Sequence, residues 1–196
     1  MILITTSRNP NPRTRRLCNS LSGLIPDSTR INRGRSGIKD LILQANKYNS
    51  DLILIIDSMR GNPSRIRFLM INGIKAKFHP LEIYIDSIIL SAQQSRKKFV
   101  NKNYQLIIAS SQRQENLEKL GITLGEILKT EFRIINEFNK DINYIKMKQN
   151  DILENTIVLY LTERKKKINI VFFDSMQEKI GPEIIVKDYK QVKKKI

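Results

Sequence analysis

Residues 52–56 form a run of five aliphatic side chains, bounded by Asp51 and Asp57. An unbroken apolar run of this length is typical of a central strand that is covered on both faces, because a strand with one face in water alternates apolar and polar residues. Such a strand requires further layers of structure on either side of its sheet. We therefore expect an α/β fold, in the broad sense that includes α+β, with this strand near its centre.

The sequence around this strand predicts the order β-α-β-α-β-β. Asn11 suits a helix cap and Pro12 a first helical position, so a helix is expected soon after the opening strand. Gly61-Asn62-Pro63 marks a turn between the last two strands, which are expected to be antiparallel. The predicted elements are strand 2–6, helix 12–23, strand 28–32, helix 38–48, strand 51–57 and strand 66–72.

Three parts of this pattern recur later in the chain at a nearly constant offset. Residues 106–111 resemble the opening strand, residues 117–128 have helical spacing, and residues 156–173 predict a hairpin with a charged turn. A constant offset indicates an internal duplication, so we expect an internally duplicated domain with two related halves of β-α-β type. No counterpart of helix 38–48 is obvious between residues 132 and 147. The expected domain, 1–196, comprises an N-terminal half (about 1–75), a joining segment (about 76–103, with a strand at 81–90), a C-terminal half (about 104–190) and a basic tail (191–196).

The charge of the chain is strongly positive and unevenly placed. With 35 Lys and Arg against 19 Asp and Glu, the formal net charge is +16. Arginines cluster at 8–16, 30–35 and 60–67, and clustering favours a polyanionic partner over a general bias in composition. No segment pairs a basic face with exposed aromatic residues, so nucleic acid is favoured over a membrane.

The loop after the opening strand is the first candidate site. It lies at the carboxyl edge of the predicted sheet, where open α/β sheets bind ligands. The following helix offers its N-terminal N–H groups, including those of Arg13 and Thr14, and arginine forks match phosphate oxygens. The loop lacks glycine and contains two prolines, so it suits an RNA backbone better than a mononucleotide; a merely solvated, arginine-rich helix start is the alternative. The candidate residues are Ser7, Arg8, Arg13, Arg15 and Arg16.

Two further groups of basic residues extend this site. Arg33-Gly34-Arg35-Ser36-Gly37 follows the second strand, and if the two strands are neighbours, this loop lies beside Ser7 and Arg8. Its glycines permit close approach of the backbone to a phosphate, although an ordinary strand-to-helix turn explains them equally well. The segment 60–65 lacks the Gly-Lys-Ser/Thr ending of a nucleotide loop and joins two strands, so we interpret it as a basic hairpin tip. Its candidates are Arg60, Arg65 and Arg67.

The second copy presents a weaker candidate. Arg164, Lys165 and Lys166 lie in the turn equivalent to the 60–65 tip, and a solvated turn accounts for them as readily as a contact with RNA. Its loop before helix 117–128 has lost the basic charge seen in the first copy. RNA contact is therefore expected mainly in the first half.

Signs of catalysis, of cofactors and of metal sites are lacking in the sequence. Cys18 is the only cysteine and His79 the only histidine, so a zinc cluster is excluded and no nucleophile-elbow pattern accompanies the histidine. Acidic residues lie scattered beside apolar strands, without the signature of a two-metal nuclease. We expect no metal, no cofactor and no small-molecule substrate. The short opening apolar segment and the lack of long apolar runs argue against a signal peptide or a transmembrane helix, so a cytoplasmic location is expected.

A set of short motifs runs along the chain: ITTSRNP at 4–10, RTR at 13–15, INRG at 31–34, KDL at 39–41, GNP at 61–63, RF at 67–68 and KIGP at 179–182. Together they resemble a known family, the Brix domain proteins of ribosome biogenesis, in its compact archaeal form. At Glu183 the sequence departs from the family, whose members usually carry arginine there. The resemblance implies two α/β halves, each similar to the anticodon-binding domain of class II aminoacyl-tRNA synthetases, and it brings Lys39 among the candidate RNA-binding residues.

The resemblance also implies a function, namely binding of ribosomal RNA precursors during processing and subunit assembly, without catalysis and together with other assembly proteins. The basic edge and the duplication, both found from the residues, agree with it. Two alternatives from other classes stay open: a tRNA-binding accessory module and an RNA-processing enzyme.

Overall fold

The computed structural model describes residues 1–90, 104–110, 114–135, 155–176 and 178–191. Within these ranges the chain forms strands and helices in an order close to the predicted one, and the mixed α/β class is confirmed. The elements are β1 (Ile2–Thr6), α1 (Pro12–Leu24), β2 (Ser28–Arg30), α2 (Ile38–Lys47), β3 (Leu52–Met59), β4 (Asn62–Asn72), β5 (Lys75–Ile89), β6 (Gln105–Ser110), α3 (Glu115–Leu128), β7 (Glu131–Ile134), β8 (Thr156–Arg164), β9 (Lys167–Phe173) and β10 (Glu183–Gln191).

The first of two compact units comprises Met1–Ser87 and the part of β10 from Val186 onward. Its strands lie in the order β2-β1-β3-β4-β5-β10. Strand β1 is parallel to both of its neighbours, with Leu3 opposite Thr29 on one side and Ile53 on the other. Strands β3, β4 and β5 are successively antiparallel. The carboxyl ends of β1, β2 and β3 therefore lie at one edge of the sheet.

Helices cover both faces of β3, as its apolar run predicts. Ile53 and Ile55 are fully buried in a cluster with Leu41 and Ala45 of α2. Successive residues of a strand face opposite sides, so Leu54 and Ile56 lie on the other face. There α1 packs against β1, β3 and β4. This arrangement removes the whole run from water, which is the main driving force for placing β3 at the centre.

The second unit, Ile88–Ile185, has a similar pattern of strand pairing. Strand β6 is parallel to β7 and β8, and β8 is antiparallel to β9, in the order β7-β6-β8-β9-β10. Helix α3 packs on β6, β7 and β8. Val158, Tyr160, Val171 and Phe173 are buried together in its core.

Two predicted boundaries are wrong. The segment from Lys75 is not a connection, because β5 pairs with β4 along most of its length, and the first unit accordingly extends to Ser87. The turn after β3 is also tighter than predicted: Arg60 and Gly61 form it, with φ of 47° and 80°, and β4 already begins at Asn62. The predicted strand at 81–90 is part of β5. Of the second-copy segment that lacks an obvious helix, residues 136–147 lie outside the described residues, as does most of the basic tail.

Candidate nucleic-acid interface

The start of α1 carries three exposed arginines, Arg13, Arg15 and Arg16. Asn11 caps the helix as predicted, and its Oδ1 accepts a hydrogen bond from the Thr14 N–H at 2.9 Å. The prediction that the Thr14 N–H is free for a ligand is therefore wrong, because the cap uses it. Arg13 donates from Nη1 to Asn62 Oδ1 at 3.0 Å, which connects α1 to the start of β4. The exposed arginine side chains are therefore the groups of this helix start that an anion would meet, and the Thr14 N–H is not among them.

Ser7 fixes the loop that presents Arg8. Its N–H donates to Ile56 O at 2.8 Å, and its Oγ accepts from the Ser58 N–H at 3.2 Å. Ser58 Oγ in turn donates to Thr14 Oγ1 at 2.9 Å. The loop is thus held to the end of β3 and to α1. Arg8 follows directly and is exposed.

The loop after β2 lies beside the Ser7-Arg8 loop, as the sequence predicts for neighbouring strands. The Ile31 N–H donates to Ile4 O at 2.9 Å, and Thr5 Oγ1 donates to Ile31 O at 3.0 Å. At the end of this loop, Arg8 Nη2 lies 3.8 Å from the position that a Cβ on Gly37 would occupy. Arg33 is half-buried here, whereas Arg35 and Lys39 are exposed. The two loops together form one basic surface at the carboxyl edge of β1 and β2.

Arg65 and Arg67 are not at the hairpin tip but within β4, where both bind Asp57. Asp57 Oδ2 accepts from Arg65 Nε at 2.9 Å and from Arg67 Nε at 2.8 Å, and its Oδ1 accepts from Arg67 Nη2 at 2.9 Å. Arg65 also donates to Glu82 Oε2 at 3.1 Å. Of the three candidates from this hairpin, Arg60 alone lies at the exposed tip.

Aromatic rings complete this network on the face of the sheet. The Arg67 guanidinium lies 4.7 Å from the ring centroid of Phe78, and that of Arg65 lies 5.9 Å from the centroid of Tyr84. Lys190 Nζ lies 5.4 Å from the same Tyr84 centroid. Cation–π contacts of this kind add to the ion pairs where water is partly excluded. The network was not predicted, although Asp57 directly follows the apolar run and lies opposite Arg65 in the register.

Burial and neighbouring groups shift the pKa values of Arg65, Glu82 and Arg33 in different directions. Partial burial acts to lower the pKa of Arg65, but its hydrogen bonds to Asp57 and Tyr84 outweigh burial and raise the pKa above its ordinary value. Burial acts to raise the pKa of Glu82, but a hydrogen bond from Tyr84 and the charge of Arg65 lower it. Arg33 behaves oppositely to Arg65, since burial and the charges of Arg8 and Arg67 lower its pKa despite Asp57.

The basic turn of the second unit is a two-residue hairpin between β8 and β9. Lys165 and Lys166 have φ of 49° and 62°, as in the type I′ turns that favour Asn-Gly. Both lysines and Arg164 are exposed. A non-glycine residue at positive φ destabilises the fold. The conformational preferences of the turn therefore do not account for lysine at these two positions.

Glu183, which departs from the family pattern, is almost fully buried. Its Oε2 accepts from Lys179 Nζ at 2.7 Å, so the pair forms an internal ion pair next to Gly181 and Pro182. The KIGP motif is thus connected to Glu183 by a contact within the protein.

The single cysteine, Cys18, is buried, and the single histidine, His79, accepts a hydrogen bond from the backbone. Burial raises the pKa of Cys18 to about 11, against an opposing effect of Arg30, so the thiolate that a nucleophile needs is disfavoured at neutral pH. His79 Nδ1 accepts from the Leu81 N–H at 3.0 Å. Among the described residues, no three His, Cys, Asp or Glu side chains lie close enough together to hold a metal ion. In the same residues, no helix has the length and hydrophobicity needed to cross a membrane.

Comparison with known proteins identifies relatives of the whole chain. No protein-family model matches it. A protein of Methanopyrus kandleri named "Probable Brix domain-containing ribosomal biogenesis protein" is 25% identical over 191 residues, which cover 95% of this chain and 93% of that protein. A Thermococcus kodakarensis protein with the same name is 25% identical over 190 residues. A third, from Sulfurisphaera tokodaii, is 37% identical over 78 residues, or 40% of this chain and 44% of that protein.

Two solved structures share the fold. The crystal structure of a probable ribosomal biogenesis protein from Aeropyrum pernix K1 has a TM-score of 0.75 at 18% identity and covers 94% of each chain. The structure of Mil, an archaeal Imp4-like protein, has a TM-score of 0.66 at 18% identity and covers 97% of this chain and 99% of its own. The resemblance expected from the motifs is confirmed. Over nearly its whole length, the chain is similar to archaeal proteins that carry the name of probable Brix domain-containing ribosomal biogenesis proteins.

Proposed function

We propose that this protein is a non-catalytic RNA-binding factor of ribosome biogenesis, which binds precursor ribosomal RNA in the cytoplasm and acts with other assembly proteins. The observation that carries the proposal is the basic surface formed by the two loops at the carboxyl edge of β1 and β2, next to the arginines of α1. The names of the whole-length relatives support the biological process. Burial disfavours the thiolate of Cys18, which supports the non-catalytic part of the proposal.

The chemistry of the surface favours contacts with the RNA backbone. Arginine and lysine side chains bind phosphate oxygens of any sequence, which position a protein on RNA, whereas bases are read by other contacts. Three exposed candidates, Arg164, Lys165 and Lys166, lie in the turn of the second unit, and the other exposed candidates lie on the first unit: Arg8, Arg13, Arg15, Arg16, Arg35, Lys39 and Arg60. The half-buried Ser7 organises one of the loops, and the ion-paired Arg65 and Arg67 support the sheet beside it.

The similar strand pairing in both units supports an internal duplication as part of this proposal. In each unit a first strand is parallel to both neighbours, a helix follows it, and an antiparallel hairpin extends the sheet. We also retain the proposed likeness of each half to the anticodon-binding domains of class II aminoacyl-tRNA synthetases. On this view the second unit lost the basic loop, and the first unit makes most of the RNA contacts.

The test of the proposal is to crosslink the protein to RNA in cells and to sequence the bound RNA. Enrichment of precursor ribosomal RNA is the expected result. Enrichment of mature tRNA would instead indicate a tRNA-binding accessory module. Incubation of purified protein with the enriched RNA and magnesium is expected to leave the RNA intact, and specific cleavage would show an RNA-processing enzyme.

A change in the turn of the second unit separates RNA binding from folding. Replacing Lys165 by Asn and Lys166 by Gly gives the turn its preferred sequence and is expected to stabilise the fold by about 1 kcal/mol. If the lysines contact phosphates, the same variant binds RNA more weakly, and the loss is equal for precursor ribosomal RNA and for an unrelated RNA. The slope of log K against log salt then falls by about one per phosphate lost. Urea denaturation and fluorescence anisotropy measure the two effects.

The matched change in the first unit is Arg60→Asn, which also creates an Asn-Gly turn. An unchanged salt slope for the lysine variant, beside a reduced slope for Arg60→Asn, would assign the second turn to solvent.

A further inference from the structure

Four arginines and two carboxylates lie near the carboxyl end of β3. The carboxylates, Asp57 and Glu82, bind two of the arginines, Arg65 and Arg67. Asp57 accepts three hydrogen bonds from Arg65 and Arg67, which occupy both of its oxygens. Glu82 accepts from Arg65 and from the Tyr84 hydroxyl. The remaining two arginines are Arg8 and Arg33.

Within the described ranges, neither Arg8 nor Arg33 forms an ion pair with a carboxylate. Arg33 Nε donates to Ser36 O at 3.3 Å, a backbone contact that orients the side chain without neutralising it. For Arg8, the described part of the chain provides neither a hydrogen bond nor an ion pair, and its Nη2 lies beside Gly37. Asp40 lies close by: its Oδ2 accepts from the Gly37 N–H at 2.7 Å and lies 3.7 Å from the same Gly37 Cβ position, without forming an ion pair with Arg8.

The like charges of this group oppose each other. Arg8 and Arg67, in addition to burial, lower the pKa of Arg33, which means that the protein alone does not compensate this guanidinium fully. Clamping Arg67 to Asp57 prevents that carboxylate from turning toward Arg33. A bound anion between Arg8 and Arg33 would relieve the repulsion and would replace part of the water that Arg33 has lost.

We propose that Arg8 and Arg33 together bind one phosphate group of the RNA backbone, and that the contacts of Arg65 and Arg67 with Asp57 hold the Asp57 carboxylate away from this position. This inference rests on the proposed RNA-binding function and adds a specific phosphate subsite to it. The two guanidinium groups offer forked donors that match phosphate oxygens, from two loops that strands β1 and β2 hold side by side. Arg65 and Arg67 act as positioning residues, and Arg8 and Arg33 touch the ligand.

The test measures binding of a fluorescein-labelled single-stranded oligoribonucleotide over a range of salt concentrations. Arg8→Ala and Arg33→Ala are each expected to lower the affinity about tenfold, the effect of losing a charge-assisted contact. Because one phosphate is shared, the double variant should lower the slope of log K against log salt by about 0.7, the value for one phosphate on single-stranded nucleic acid, and not by twice that value. Lys75→Ala, which removes an exposed charge outside the candidate RNA-binding residues, is the control, and thermal unfolding verifies that all variants fold.

Two outcomes would overturn the subsite. The first is a loss for Arg8→Ala and Arg33→Ala no greater than that for Lys75→Ala, and the second is a double variant whose slope falls by two phosphates. In each case salt-dependent RNA binding by the unaltered protein would leave the proposed function standing. Absence of RNA binding by the unaltered protein at low salt would refute both.

Discussion

RNA affinity is expected to fall by roughly three orders of magnitude when the salt concentration rises from about 50 to about 200 mM. The prediction assumes ~6–10 phosphate contacts, a number that the exposed arginines and lysines of the first unit can supply. Each contact releases a condensed counterion from the RNA, so added salt opposes binding in proportion to the number of contacts. Anisotropy titrations across this range measure the slope directly. An affinity that barely changes would exclude backbone contacts as the main source of binding.

A pair of charge reversals locates the contacts. Arg13→Glu with Arg16→Glu places two negative charges at the carboxyl edge of the first unit and should remove most of the affinity. Lys75→Glu with Lys77→Glu changes the net charge equally, but Lys77 lies opposite Met70, which lies opposite Leu52 at the start of β3. The control therefore lies toward the other edge of the same sheet. Equal losses in the two variants would show that net charge, not the edge, determines binding.

Local sequence and strand order were sufficient to predict that the loops after β1 and β2 lie side by side. Asn11 and Pro12 start α1 where the cap rules place it, because those rules depend on adjacent residues alone. Arg8 and Arg33 lie near each other because parallel neighbouring strands end at the same edge, and the apolar run of β3 already indicated such a sheet. The approximate position of the site therefore followed from local sequence.

The roles of Arg65 and Arg67 depend on pairing between strands and were not predictable in this way. Their side chains meet Asp57 because β4 folds back on β3 in one particular register, with an irregularity between Asp57 and Ser58. A cluster of arginines in the sequence does not distinguish residues that face a carboxylate from residues that face solvent. Among the predicted site residues, Arg65 and Arg67 form ion pairs with a carboxylate of the protein itself.

The length of β5 was missed for a related reason. Pro80 interrupts the sequence pattern, and proline is tolerated in a strand only at edges and irregularities. The pairing of β4 with β5 contains such an irregularity between Arg67 and Leu69, opposite the segment that includes Pro80. Pairing with β4 thus continues the strand through Pro80, although a proline favours the end of a strand. For this reason a joining segment was predicted where β5 continues.

Asp57→Asn is expected to destabilise the protein by about 3 kcal/mol, because it leaves two half-buried arginines without their shared carboxylate. The side chain of Asp57 is 13% exposed, so water compensates little of the loss. Asp27→Asn is the matched control: Asp27 Oδ2 also makes an ion pair at 2.9 Å, with the N-terminal ammonium of Met1, but its side chain is 76% exposed. Exposed pairs contribute at most about 1 kcal/mol, and asparagine tolerates the positive φ of residue 27 as aspartate does. Urea denaturation at neutral pH gives both free energies of unfolding, and similar small losses in the two variants would mean that the Asp57 network contributes no more to stability than a surface ion pair.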